Sequence, residues 1–167
     1  MIRVLDACCG SRMFWLDRMH PSAVFMDCRH ESHVLTDRSS QGGSRLLTVQ
    51  PDIVADFRAM PFRDGVFDLV VFDPPHFTRN GQTGWMAKKY GTLNRDTWRE
   101  DLRRGFAECF RVCRMGGTVV CKWNENEIAV RAIIELAPCA PLIGHRFGRR
   151  DESHWLVFLK SEEAMTA

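Results

Sequence analysis

The sequence predicts an α/β domain: a mostly parallel sheet with helices on both faces and an antiparallel hairpin at its C-terminal end. Three observations predict it. Short apolar runs recur along the chain, and each of the first four ends at or near an aspartate: Asp6, Asp27, Asp56 and Asp73. These runs are apolar without alternation, as strands buried on both faces are. The last two runs, around Leu142 to Phe147 and Trp155 to Leu159, flank the polar turn 148–152 and should pair antiparallel.

Taken in order, Val4-Leu5-Asp6-Ala7-Cys8-Cys9-Gly10 reads as a strand ending in a glycine turn. Ser11 can cap a helix carrying Met13, Phe14 and Trp15, which Pro21 ends. The second strand, Ala23 to Met26, stops at Asp27, 21 positions after Asp6. Val34-Leu35-Thr36 and Leu46-Leu47-Thr48-Val49 flank Ser39 to Ser44 and predict a β-hairpin where a crossover helix usually stands. His30 and His33, at its base, read as solvated loop residues. Ile53-Val54-Ala55 is the third strand, ending at Asp56-Phe57.

The fourth strand, Phe67 to Phe72, is central. It stops at Asp73-Pro74-Pro75-His76, because two successive prolines cannot donate to a ladder. Residues 77 to 94 read as a long loop with glycine hinges (Gly81, Gly84, Gly91), carrying Phe77, Arg79, Trp85, Lys88, Lys89 and Tyr90 as candidate substrate contacts. Thr97-x-x-Glu100 matches a capping box, and Leu102, Phe106, Cys109, Phe110 and Cys113 continue at helical spacing to Gly116-Gly117. Thr118 to Cys121 is a fifth strand, ending at Lys122. Residues 126 to 137 read as a helix, and the chain from Ser161 as a frayed tail.

A length of 167 residues fits one domain over residues 1–167. The net charge of +2 does not point to a partner by itself, although residues 85 to 115 hold eight Lys/Arg against four Asp/Glu. Seven scattered cysteines suggest free thiols in a reducing compartment. Cys109 and Cys113 lack a second pair or His to complete a zinc set, so no metal is expected. No apolar run has membrane-spanning length, and Met1 leads through Arg3 into a strand without a signal-peptide pattern, so the cytoplasm is expected.

Four carboxylates at one sheet edge repel one another unless a ligand or donors offset them. Strand, glycine turn, helix, strand and acid is the order of a nucleotide-binding unit, where the acid accepts ribose hydroxyls. With the motifs, the chain resembles the class I S-adenosylmethionine (SAM)-dependent methyltransferases over nearly its whole length, especially small stand-alone enzymes of bacteria and phages. The resemblance implies a Rossmann-like sheet and SAM as cofactor. It implies that Asp6, Ala7, Cys8 and Gly10 approach the methionine part, that Asp27 holds the ribose, and that Asp56 and Phe57 read the adenine, with Asp73 also at the cofactor.

Asp73-Pro74-Pro75-His76 is similar to the Asp/Asn-Pro-Pro-aromatic motif of adenine-N6 methyltransferases, and implies Asp73, Pro74, Pro75 and His76 as catalytic residues. Such an enzyme methylates the exocyclic amine of adenine in nucleic acid, with DNA favoured. The motif's last position is usually an aromatic that stacks on the base. Here it is His76, and Phe77 is an alternative stacker. Lys122 joins the candidate substrate contacts. No segment is left over for a target-recognition domain, which makes a homodimer or a recognition partner an alternative source of that surface. Two other readings stay open: a methyltransferase of a small molecule or a protein side-chain amide, and a non-catalytic SAM-binding module.

Overall fold

The computed structural model describes residues 3–36, 43–79, 84–147 and 152–166. Seven strands form one sheet: β1 (Val4–Asp6), β2 (Ala23–Asp27), β5 (Ile53–Val54), β6 (Phe67–Phe72), β7 (Cys113–Asn124), β8 (Ile143–Phe147) and β9 (Ser153–Leu159). Their order is β5-β2-β1-β6-β7-β9-β8. The pairs from β5 through β7 are parallel, and β9 runs antiparallel to both β7 and β8. The mostly parallel sheet and its terminal antiparallel pair are as the sequence predicts. The polar turn expected between β8 and β9 lies, but for Glu152, outside the described residues. The chain leaves β1 on one side and returns as β6 on the other. That reversal opens a crevice at the carboxyl ends of β1 and β6.

Leu5, Val70, Val119 and Phe158 are in register across four strands and fully buried. Helix α2 (Trp98–Val112) covers this face, setting Phe106 at 5.2 Å from Phe72 and 5.8 Å from Phe158. Helix α3 (Val130–Ile134) adds Ile133 to the same buried cluster. The opposite face was expected to carry a helix over residues 11–20, but the segment runs in turns. Arg12 sits at φ 54°, and its guanidinium bonds the carbonyls of Arg18 and Gln50. Those bonds replace a helical ladder, and Leu16 and Met19 stay exposed. Trp15 and Phe14 still cover the sheet, edge-on to Phe25 at 4.8 Å and to Trp155 at 5.6 Å.

The predicted hairpin is formed by β3 (Glu31–Thr36) and β4 (Ser44–Val49), in a sheet of its own. Its tip, residues 39–42 of the expected turn, lies outside the described residues. The loop expected over 77–94 contains helix α1 (Trp85–Tyr90), closed by the Gly91 amide on the Ala87 carbonyl. Gly81 of that loop lies outside the described residues. The capping box is not formed, because the Thr97 hydroxyl instead donates to Asp101 at 2.6 Å. Nor do Gly116-Gly117 end the helix. Cys113 is already extended, and the glycines shape a register shift where β7 meets β6. A Cβ on Gly117 would lie 2.7 Å from the Cys113 sulfur. The helix expected over 126–137 shortens to α3. The expected tail forms α4 (Glu162–Thr166), whose Ala164 amide bonds the Ser161 hydroxyl. No helix among the described residues is long and apolar enough to cross a membrane.

Candidate active site

The carboxyl ends of β1, β2 and β6 open into a cavity of about 360 Å³, with Ala7, Cys8, Asp27, Phe57, Asp73 and Tyr90 among its lining. A second cavity of about 530 Å³ adjoins it across Cys28, Phe57, Pro75 and Thr92 and reaches Asp56. A small recess, lined by Gly10, Phe14, Asp73, Lys89 and Tyr90, opens beside the first.

Each of the four strand-end aspartates is satisfied by donors from within the chain. Asp6 is fully buried, and accepts the Trp15 indole N–H at 2.7 Å and the Cys8 amide at 3.3 Å. Burial pushes its carboxyl up to about 7 despite those bonds. It lies beneath the cavity rather than lining it. Asp27 accepts the Gly10 amide at 2.9 Å, which ties the first turn to β2. The Arg29 guanidinium brackets both Asp27 oxygens and also reaches the Lys88 carbonyl of α1 at 3.0 Å. Asp56 is paired with Arg58, whose bonds hold its carboxyl below the usual range, and Arg58 also bonds Asp101 at 2.7 Å.

Asp73 stands next to Lys122, because Phe72 and Cys121 are in register on adjacent parallel strands. The Lys122 ammonium lies 3.2 and 3.1 Å from the two Asp73 oxygens. Burial raises the Asp73 pKa, and the lysine opposes that shift. Pro74 is buried, and Pro75 lines both larger cavities. Gly91 packs against Pro75: a Cβ there would lie 2.9 Å from the proline ring, and its φ of 75° also favours glycine. Phe57 stands edge-on to Phe72 at 5.5 Å and faces both cavities.

Several expected contacts lie elsewhere. His76 is 8% exposed and does not line the cavity. It sits among Phe77 at 4.2 Å, Tyr90 at 5.6 Å and Trp123 at 6.2 Å. Burial drives its pKa down to about 4, so it is neutral at pH 7. Phe77 is likewise buried. Lys122 pairs with Asp73 and does not line the cavity. Arg79 and Trp85 are exposed outside it, and the Arg79 amide donates to Glu127. Lys89 lies over the rings of Trp85 at 4.9 Å and Tyr90 at 4.8 Å. Conversely, His33 lines the cavity beside Glu31 instead of being solvated. Arg29 and Arg58 are the contacts that the sequence did not single out. The repeated Asp-x-Arg at 27–29 and 56–58 was the signal that could have found the two arginines.

No protein-family model matches the chain, and no curated protein matches it. Solved structures do. The PH0226 protein of Pyrococcus horikoshii matches with a TM-score of 0.59 and 16% identity, over 95% of this chain and 82% of that one. The N-methyltransferase NodS of Bradyrhizobium japonicum matches with a TM-score of 0.57 and 12% identity, over 96% and 86%. The 1,6-didemethyltoxoflavin-N1-methyltransferase of Burkholderia thailandensis, with 1,6-didemethyltoxoflavin and S-adenosylhomocysteine bound, matches with a TM-score of 0.53 and 12% identity, over 95% and 71%. The chain has the SAM-dependent methyltransferase fold. At these identities the likeness is one of fold, and the site's chemistry rests on its own residues.

Proposed function

We propose that this chain is a SAM-dependent N-methyltransferase whose acceptor is an adenine-type exocyclic amine in nucleic acid, with DNA first. One observation carries the reading. Asp73 stands on a two-proline turn at the crevice, bordering both the cavity of about 360 Å³ and the recess that holds Tyr90 and Lys89.

The residues fit the cofactor. The Phe57 ring offers a face to an adenine, and Asp27 offers carboxylate oxygens to a ribose diol, though Arg29 must first swing off them. A volume of about 360 Å³ lies within the range of ligand pockets, ~300–1,000 Å³. When bound, SAM supplies an electrophilic methyl group. The chain's own work is positioning. An exocyclic amine on a ring is a poor nucleophile because its lone pair is delocalised. Asp73 and the Pro74 carbonyl would accept its two hydrogens, favour a pyramidal nitrogen and leave the lone pair free. Asp73 is also the nearest acceptor for the proton that nitrogen must lose. Because His76 is packed away, Tyr90 and Phe14 are the rings that would face the acceptor at the recess. Lys89 on the same helix as Tyr90 would meet a phosphate, and the exposed Trp85 would stack on a base.

A second reading, transfer to a small heterocycle or a side-chain amide, draws support from the narrow recess and from the small substrate bound by the Burkholderia neighbour. A second copy or a partner would supply the recognition surface that the first reading needs. The test is transfer of labelled methyl from SAM to unmodified DNA, RNA and an extract stripped of nucleic acid. Label mapped to an adenine amine is expected. Label in the stripped extract alone would overturn the nucleic-acid acceptor, and none anywhere despite SAM binding would point to an untested acceptor, a missing partner or the non-catalytic module, in that order.

A further inference from the structure

Lys122 was expected to touch substrate, and its surroundings give it another task. It lies on β7 between Cys121 and Trp123, both fully buried on the opposite face. Its side chain is 20% exposed and that of Asp73 is 15%. The ammonium sits astride the carboxylate, near-equidistant from both oxygens. A carboxylate offers about four lone-pair directions, so each oxygen keeps one free toward the cavity.

We propose that Lys122 is a positioning residue that fixes the Asp73 carboxylate as a hydrogen-bond acceptor for the substrate amine, and does not itself contact the acceptor. This rests on the function proposed above. The reason is electrostatic. Asp73 lies close to Asp6 on β1 and to the thiols of Cys8 and Cys121, none of which supplies a cation. On its own turn His76 carries no charge at neutral pH, and it responds to the Lys122 charge. Among these described neighbours Lys122 is the cation in contact. Without it, the upward push of burial would be unopposed, and the carboxyl would keep its proton to higher pH. A protonated carboxyl donates where the amine needs an acceptor.

The experiment titrates Asp73 directly in the full chain labelled with carboxyl-¹³C aspartate, with Asp73→Asn assigning the resonance. Replacement of the lysine (Lys122→Met) should raise the Asp73 midpoint by at least one pH unit, and Lys122→Arg should restore it. Lys122→Gln stands in if the methionine variant does not fold. An unchanged midpoint in the neutral variant overturns the proposal. This readout needs no acceptor, so it stands apart from the methyl-transfer test. With an active acceptor in hand, the acid limb of the rate profile should move up by the same amount at constant KM for the acceptor. A rise in KM alone, with the limb unmoved, would make Lys122 a substrate contact and overturn the proposal.

Discussion

Replacing Asp73 with alanine should lower the methyl-transfer rate by roughly 10²–10³-fold or more, the scale on which a preorganised hydrogen-bonding group acts on a transition state. SAM affinity should change by less than about threefold, because Asp73 would accept from the substrate amine, whereas the ribose diol would be held by Asp27. The alanine also strands the Lys122 ammonium, and breaking a buried pair costs about 3–5 kcal/mol. Asp73→Asn and the double replacement Asp73→Ala/Lys122→Met therefore belong beside it, each checked by thermal melting. A folded Asp73→Ala/Lys122→Met protein with normal turnover would remove Asp73 from the chemistry, whereas Asp73→Asn, which keeps an acceptor oxygen, separates that acceptance from the charge. The pH sign follows from the same geometry. Activity requires the ionised carboxyl, whose pKa lies above the ordinary 3.8, so turnover falls as pH drops through that raised value.

Gly105→Ala should reverse the usual rule for helices. A mid-helix glycine costs roughly 1 kcal/mol relative to alanine, so alanine ordinarily stabilises. In α2 the added Cβ would lie 2.7 Å from a Phe57 ring carbon and 2.8 Å from one of Phe72. Phe72 is fully buried and cannot move aside, so only Phe57 can shift, toward the cavity it lines. Overpacking of this kind costs about 1–3 kcal/mol. Denaturant melts should show that loss, and SAM titration should show weaker binding, because Phe57 is pushed into the cavity. A stabilised Gly105→Ala protein would mean that Phe57 is not fixed by the helix.

Much of this was legible in the sequence. Apolar runs without alternation gave the parallel strands, and the aspartates closing them marked the crevice. The hairpin at 31–49 was legible because turn residues separate two β-branched and leucine-rich runs. The helix expected after Gly10 was not formed. Ser11 and three apolar residues satisfy a local rule, but the arginine at 12 finds carbonyl partners across the chain that no local pattern encodes. His76 shows the same limit. Its motif position pointed at a substrate, and the aromatic residues that bury it come from elsewhere in the chain: Tyr90 from α1 and Trp123 from β7. The cationic partners of Asp27, Asp56 and Asp73 are tertiary or two-residue pairings. A reading based on strand ends counts the acids and misses the charges that answer them.

Isothermal titration of SAM into the wild-type chain and into Asp27→Ala tests the central claim most directly, that the crevice between β1, β2 and β6 is a SAM site. The expected result is one site per chain in the wild type and at least tenfold weaker binding in the folded variant. Absence of SAM binding by the wild type, or equal affinity in both proteins, would contradict it.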